Sequence, residues 1–180
     1  MRKSLLALSL LLVASMAHAA DFKLGLSNTT LAADFTSQPI GQGLEFTLGG
    51  LRNTGNGSLL TAGMQVSQQV NEGFKVSVGG KLLGVTNDYK DTSALALGGE
   101  IDLAVPSLRA LHFGVHGWFA PTVTSSSGTK TMQDIGASMA YRVLKNAEVF
   151  AAYRRVQVDY ESLGSQTLQS GPLFGMKLLF

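Results

Sequence analysis

The pattern that most limits the fold is an alternation of apolar and polar side chains that recurs from residue 44 to residue 180. The alternating segments are roughly 9 to 14 residues long, and turn-forming residues separate them. Successive side chains of a β-strand point to opposite faces, so each segment is predicted to be a strand with one apolar and one polar face. The apolar positions include Leu44, Phe46, Leu48, Leu60, Met64, Val66, Val78, Leu97, Met139, Phe174, Met176, Leu178 and Phe180.

The first 19 residues have a different pattern, that of a secretory signal peptide. Arg2 and Lys3 precede an apolar stretch over residues 5–14, and Ala17-His18-Ala19 is a small-x-small cleavage site. The sequence has no cysteine, which excludes a lipoprotein anchor. After residue 19 there is no apolar run of about 18 residues, the length that a spanning helix requires. We therefore predict a signal peptide over residues 1–19 and one β-domain over residues 20–180.

A soluble β-sandwich and a β-barrel both alternate in this way, and the polar face distinguishes them. Its positions are crowded with Gly, Ala, Ser and Gln, and charged residues make up only 14% of the chain. That charge content is low for a surface in water, whereas small residues and paired charges suit the interior of a narrow barrel. The sequence therefore predicts an all-β, antiparallel up-and-down transmembrane β-barrel.

The charge balance of the mature chain argues against a strongly basic surface for binding nucleic acid. Of the 14 Lys and Arg residues, Arg2 and Lys3 leave with the signal peptide, so 12 remain against 12 Asp and Glu. Because no basic field remains, nucleic acid is not an expected partner.

The turns between the segments predict the number of strands. If residue 180 lies at the periplasmic end, then residues 37–42, 71–73, 106–107 and 145–146 become periplasmic turns, and residues 53–57, 87–93, 124–130 and 162–167 become external loops. Nine strands would leave the N-terminus outside, so a first hairpin with a turn at residues 27–29 gives ten. Eight strands is the alternative, because the arms of that hairpin are short. The apolar parity also shifts after Tyr153, which predicts a β-bulge at residues 154–155 that would turn Val156, Val158 and Tyr160 outward.

The last strand resembles the closing strand of bacterial outer-membrane barrels. Its apolar face ends with Leu178 and Phe180, and Gly175 lies five residues before the terminal Phe; Leu173 departs from the polar residue usual two positions before the Gly. The resemblance implies that Gly175, Leu178 and Phe180 form a signal for the barrel-insertion machinery. It also implies the outer membrane of a Gram-negative bacterium as the location, with outer-membrane lipid as the surrounding partner.

Several short motifs make the whole mature chain similar to the YfaZ family of small outer-membrane proteins. These motifs are residues 53–57 (Asn-Thr-Gly-Asn-Gly), Gly79-Gly80-Lys81, Gly98-Gly99, Phe119-Ala120-Pro121, Tyr153-Arg154, and Gly171-Pro172 leading to Phe180. The resemblance implies a barrel in the outer membrane and supplies no catalytic residues. The loop at residues 53–57 lacks the acidic cluster associated with the family, which lowers the expectation of cation binding there.

Charged residues on the predicted inner face are the first candidates for a functional site. They are Glu45, Lys75, Lys81, Glu100, Asp102, Asp134, Arg142, Arg155 and Lys177. Charges removed from water persist when they are paired. We expect Lys75 and Lys81 to pair with Glu100 and Asp102 on the next strand, and Trp118 to fill much of the lumen at its level.

Two other groups of residues are candidates for sites of chemistry. His112 and His116 lie on one face of a strand about 13 Å apart, too far for a single metal ion to bridge. Ser125, Ser126 and Ser127, with His116 and either Asp134 or Glu161, would be the residues of a lipid hydrolase. However, the sequence has no nucleophile elbow. We therefore expect no enzyme activity, no metal and no cofactor.

The sequence thus favours a monomeric barrel of structural or interaction type with a largely filled lumen. The alternative is a narrow passive channel for ions or small solutes, and a lipid hydrolase is a weaker third hypothesis. Small barrels host all three functions, so the fold cannot distinguish them.

Overall fold

A computed structural model describes residues 21–88, 90–105 and 108–180. The predicted signal peptide at residues 1–19 and the predicted turn at residues 106–107 lie outside the described residues. The described part contains ten strands and one short 3₁₀ turn, Thr122–Thr124. No helix in these residues is long and apolar enough to span a membrane.

The ten strands form one closed antiparallel barrel, in which each strand pairs with its neighbours in sequence. This confirms the prediction of an all-β up-and-down barrel with ten strands and not eight. The strands are β1 (Asp21–Leu26), β2 (Thr30–Thr36), β3 (Leu44–Asn53), β4 (Gly57–Asn71), β5 (Phe74–Thr86), β6 (Thr92–Val105), β7 (Leu108–Ala120), β8 (Thr129–Leu144), β9 (Ala147–Tyr160) and β10 (Gly164–Leu179).

The first and last strands close the barrel. Their register runs from Asp21 opposite Leu179 to Leu26 opposite Phe174. Gly175 lies opposite Gly25 in this pairing, and a larger residue would not fit there because its Cβ would overlap the backbone carbonyl of Leu24. The predicted turn at residues 27–29 connects β1 to β2 as expected. Closure leaves the paired part of the sheet without a free edge, which is the condition for placing strands in hydrocarbon.

The two ends of the barrel differ in their connections. The turn end carries residues 37–43, 72–73 and 145–146, together with Asp21 and the end of β10. The loop end carries residues 27–29, 54–56, 87–88, 90–91, 121–128 and 161–163. Each predicted external loop corresponds to one of these loop-end connections, although the observed bounds are shifted by up to a few residues.

Side chains alternate between the lumen and the outer surface, and the outer set is apolar on most strands. Val78, Leu97 and Met139 are exposed on the outside, whereas Ser77, between two outward residues, is 2% exposed. The barrel thus presents apolar side chains outward and encloses smaller or polar ones, as the alternation predicted.

The prediction of a bulge at residues 154–155 is wrong. The register of β9 with both neighbours continues through Arg154 and Arg155 without a shift. As a result, Arg154 faces the lumen and Arg155 faces outward. Val156, Val158 and Tyr160 are each at most 2% exposed and lie inside. Register shifts next to these strands occur elsewhere, between Thr129 and Thr131, Arg142 and Leu144, and Thr167 and Gln169.

Candidate functional site: the barrel lumen

The loop-end half of the lumen is filled by apolar side chains, which we call the apolar plug. Its largest member, Trp118, is 1% exposed, and each of the others is at most 3% exposed or is a small Ala. The plug consists of Leu51, Leu59, Leu83, Val85, Ala94, Ala96, Trp118, Ala120, Met132, Val156, Val158, Tyr160 and Leu168. The plug belongs to a larger buried cluster to which nine strands contribute: β3 to β10, and β2 through Ala32. The chain therefore closes this half of the barrel with packed side chains.

Buried polar side chains lie above the plug, at the loop end. Asn53 donates a hydrogen bond from Nδ2 to Thr30 Oγ1 at 2.8 Å, and the Thr30 hydroxyl donates to Gln169 Oε1. On the opposite side the hydroxyls of Thr92 and Thr129 are 2.6 Å apart. These contacts link the loop-end termini of β2 to those of β3 and β10, and that of β6 to that of β8, and they cover the plug with satisfied polar groups.

The turn-end half of the lumen is a polar cavity of about 520 Å³, which we call the vestibule. Charged side chains of both signs line it, together with His112 and His116. The charged residues are Asp21, Lys23, Asp34, Glu45, Glu72, Lys75, Lys81, Glu100, Asp102, Asp134, Arg142, Glu148, Arg154 and Lys177.

The most buried ion pair of the vestibule joins β8 to β9. Arg154 donates from Nε to Asp134 Oδ1 at 2.8 Å and from Nη2 to Asp134 Oδ2 at 2.7 Å. A second carboxylate, Asp34 on β2, lies 3.7 Å from Arg154 Nη1, and His116 Nε2 lies 3.4 Å from Asp134 Oδ1. The Asp134 side chain is 1% exposed and that of Arg154 is 10% exposed. This two-pronged contact ties two neighbouring strands together, and the contact of Arg154 with Asp34 reaches past β10 and β1 to β2.

A similar group lies nearer to the turn end. Arg142 donates to Glu148 Oε1 from Nε at 3.1 Å and from Nη2 at 2.8 Å. His112 Nε2 lies 3.8 Å from the same oxygen. Each histidine of β7 therefore faces a carboxylate that an arginine already holds.

Glu45 has the most hydrogen-bond donors of the vestibule carboxylates. Lys75 Nζ lies 2.7 Å from its Oε1, while Ser67 Oγ and Gln65 Nε2 donate to its Oε2 at 2.7 and 3.0 Å. The Glu45 side chain is 1% exposed, so these donors replace the water that it loses on folding.

Lys81 marks the boundary between the two halves of the lumen. Its Nζ lies 3.5 Å from Glu100 Oε1 on the vestibule side. The same Nζ lies 4.3 Å from the ring centroid of Trp118 on the plug side, within the range of a cation–π contact. Trp118 thus occupies the lumen as the sequence indicated.

The nine charged residues predicted for the lumen do not all lie there. Eight line the vestibule, and Arg155 does not, because the unbroken parity of β9 places it on the outer face. There it donates to Gln157 Oε1 at 2.6 Å. The prediction for Arg155 was wrong because it rested on the bulge.

The predicted ion pairing is also partly wrong. Lys81 pairs with Glu100, but Lys75 pairs with Glu45 on β3 and not with Asp102, although Lys75 and Asp102 are opposite in register. Among the described residues, Asp102 forms no ion pair. Lys177 pairs with Asp21 at 2.9 Å across the strands that close the barrel.

Sequence reasoning missed six charged vestibule residues, namely Asp21, Lys23, Asp34, Glu72, Glu148 and Arg154. For β9 the signal was present: with Val149, Ala151 and Tyr153 facing outward, an unbroken alternation places Glu148 and Arg154 inside. For Lys23 and Asp34 the short strands β1 and β2 gave too little alternation to assign a face.

The structure does not bring together the residues of the lipid-hydrolase hypothesis. Ser125 Oγ donates to the Pro121 carbonyl at 2.9 Å, and Ser126 Oγ lies 2.7 Å from Thr92 Oγ1, so both serines lie at the loop end. His116 lines the vestibule, and Trp118 and Ala120 of the plug follow it on the inner face of β7. In the described part of the chain no three His, Cys, Asp or Glu side chains are placed to hold a metal ion.

Comparison with known protein families gives a match to the whole chain. The family described as YfaZ precursor matches residues 1–180, the full sequence. No curated protein matches the chain.

Proposed function

The chain belongs to the YfaZ precursor family, and from this membership and the plugged ten-stranded barrel we propose an outer-membrane protein of structural or interaction type that does not conduct ions. The family and the barrel are consistent with a small outer-membrane protein. We propose further that the protein has a structural or interaction role, that its lumen is closed and that it is a monomer.

The outer surface supports the membrane location. Leu60 is 71% exposed, Leu97 62% and Phe174 61%, and a barrel surface with many such side chains on neighbouring strands is favourable where lipid covers it. The family's description as a precursor supports removal of residues 1–19 as a signal peptide. With the loop end outside and the turn end in the periplasm, Phe180 would be available to the insertion machinery.

Fractionation tests the location. We expect the mature protein in the outer-membrane fraction, with a heat-dependent shift in migration on gels. Deletion of Phe180 should reduce the amount inserted, whereas Val143→Ala, an outward change near the same end, should not. Recovery of the wild-type protein in the soluble periplasm would contradict the proposal.

The apolar plug is the observation on which the proposal of a closed, non-conducting lumen rests. An ion that crossed it would lose its hydration without gaining a charged or polar partner, which is very unfavourable. The vestibule does not change this conclusion, because its charges end at Lys81, below the plug. No catalytic residue is part of the proposal.

Recordings from purified protein in planar bilayers test the closed lumen. We expect the wild-type protein to show no steady openings and the combined variant Trp118→Ala, Met132→Ala to show ion flow if it folds. The combined variant Leu97→Ala, Met139→Ala removes the same kind of bulk from the outer face and should remain silent. Steady ohmic openings of the wild-type protein would instead favour the narrow channel, for which the charged vestibule is the supporting observation.

A further inference from the structure

A shallow groove of about 350 Å³ crosses the outer surface of β2 to β5 near the loop end. One outward row of the sheet pairs Ala33 with Gly50, Gly50 with Leu60, and Leu60 with Gly84. Because three of these four residues have small side chains or none, depressions lie on both sides of Leu60. Leu31, which is 49% exposed, borders the groove on β2.

No side chain of the described residues covers the floor of this groove. A Cβ placed on Gly50 would come within 4 Å of one atom only, the Leu59 carbonyl oxygen at 3.8 Å. A Cβ on Gly84 would meet only the Leu60 carbonyl oxygen, at 3.9 Å. The groove is therefore open to whatever surrounds the barrel, and its walls are leucine side chains.

Polar side chains form the rim of the groove on the side of the loop end. Arg52, Ser58 and Thr86 are paired in register as the next outward row. Arg52 is exposed, and among the described residues its guanidinium has no ion pair or side-chain hydrogen bond. A free cation and two hydroxyls thus lie directly beside an apolar groove.

The other outward arginine of the loop-end half, Arg155, has a different environment. It donates to Gln157 at 2.6 Å, and Gln157 in turn donates to Asp159 at 3.1 Å and to Ser165 at 2.5 Å. This arginine is satisfied by the protein itself, so Arg52 is the one whose charge is available to a ligand.

We propose that this groove binds an anionic, phosphate-bearing lipid, with an acyl chain between Leu31 and Leu60 and the phosphate at Arg52. The inference rests on the proposed outer-membrane location, which places the loop end at the level of the outer-leaflet headgroups. Guanidinium groups bind phosphate oxygens with good geometry, and the hydroxyls of Ser58 and Thr86 are additional donors. An acyl chain would cover the apolar floor of the groove, whereas a free phosphate would contact only the polar rim.

Native mass spectrometry of the folded protein in micelles tests the inference. The probes are phosphatidylglycerol, which is anionic, and phosphatidylcholine with the same acyl chains, which carries no net charge. We expect one molecule of phosphatidylglycerol to be retained about fivefold more strongly than phosphatidylcholine, as one cation near an anionic lipid surface allows. Arg52→Gln should remove this preference, and Gly84→Leu should reduce retention of both lipids by filling the groove.

Two matched variants control for charge and for bulk. Arg155→Gln removes the satisfied outward arginine, and Gly80→Leu adds bulk to the same face of β5 outside the groove; neither should change lipid retention. Equal retention of the two lipids by the wild-type protein, or an equal effect of Arg52→Gln and Arg155→Gln, would overturn the inference. If Gly84→Leu does not fold, the Arg52 comparison still decides. A chain that does not fold as a barrel in micelles or bilayers would contradict the proposed function instead.

Discussion

The two halves of the lumen are built from the same ten strands but are closed by different interactions. Next to the loops, side chains such as Trp118 and Val158 exclude water by packing. Next to the turns, ion pairs such as Asp134–Arg154 line a cavity that keeps space for water. The inner face of this barrel therefore changes from apolar to charged along the barrel axis, while the outer face stays apolar on most strands.

This difference shows that strand parity, and not hydrophobicity, identifies the side of the barrel that a residue faces. In the vestibule half most large apolar residues face outward, so hydrophobicity and parity agree there except at residues such as Phe150 and Leu173, which line the cavity and are 6% and 4% exposed. In the plug half they disagree, because Val156 and Tyr160 are apolar and face inward. Local alternation sets the side, and the apolar character of the interior depends on the height in the barrel.

The largest predicted effect concerns the vestibule. Asp134→Ala would leave Arg154 and its buried charge with only the distant contact to Asp34, and should reduce the free energy of unfolding by about 3–5 kcal/mol. Urea unfolding in lipid vesicles measures this change.

The control is the double variant Asp134→Leu, Arg154→Met, which removes both charges and should destabilise the barrel less than Asp134→Ala alone. The matching single variants are Asp134→Leu and Arg154→Met. If the double variant loses as much stability as the sum of their separate losses, Asp134 and Arg154 do not stabilise each other in this half of the lumen.

The second prediction compares adjacent leucines of β5 on opposite faces. Leu83 is 2% exposed in the plug and Leu82 is 59% exposed on the outer surface. Leu83→Ala should lower the free energy of unfolding by about 2–5 kcal/mol, because it removes packed atoms and leaves a cavity. Leu82→Ala should lower it by only about 0.5 kcal/mol, the value of a leucine in lipid.

Equal losses from the two substitutions, measured in the same vesicles, would mean that the plug is not tightly packed. A larger loss from Leu82→Ala would mean that the register of β5 is inverted.

The smallest predicted effect separates two carboxylates on β6. Glu100 pairs with Lys81 at 3.5 Å, and its side chain is 32% exposed, so Glu100→Ala should cost at most about 1 kcal/mol. Asp102→Ala should have almost no effect, because Asp102 has no ion pair within the described residues. A larger loss for Asp102→Ala than for Glu100→Ala, measured by the same unfolding titration, would show that the pairing differs from the one described.

Much of the fold could be predicted from the sequence because alternation and turn chemistry are local. The ten strands, the turn at residues 27–29 and the outward direction of Val78 and Leu97 all follow from neighbouring residues. The error at residues 154–155 has a physical cause: the prediction assumed that every apolar set faces lipid, and the apolar plug breaks that assumption.

Less of the candidate site could be predicted, because partners in a lumen are chosen across the barrel. Lys75 lies opposite Asp102 on the adjacent strand, yet its Nζ contacts Glu45 on β3, with β4 between them. Arg154 likewise contacts Asp34 from far along the chain. Such contacts depend on barrel width and side-chain reach, which alternation does not encode.

The central claim is that the vestibule is open only at the turn end and that the plug separates it from the loop end. The chain has no cysteine, so single-cysteine variants can be labelled without background. In vesicles with oriented barrels, Ser138→Cys, on the inner face of β8, should react with a membrane-impermeant thiol reagent added at the turn end and not with one added at the loop end. Ala96→Cys, whose native side chain is 0% exposed within the plug, should react from neither side. Reaction of Ser138→Cys at equal rates from both sides would show that the lumen is continuous and contradict the account.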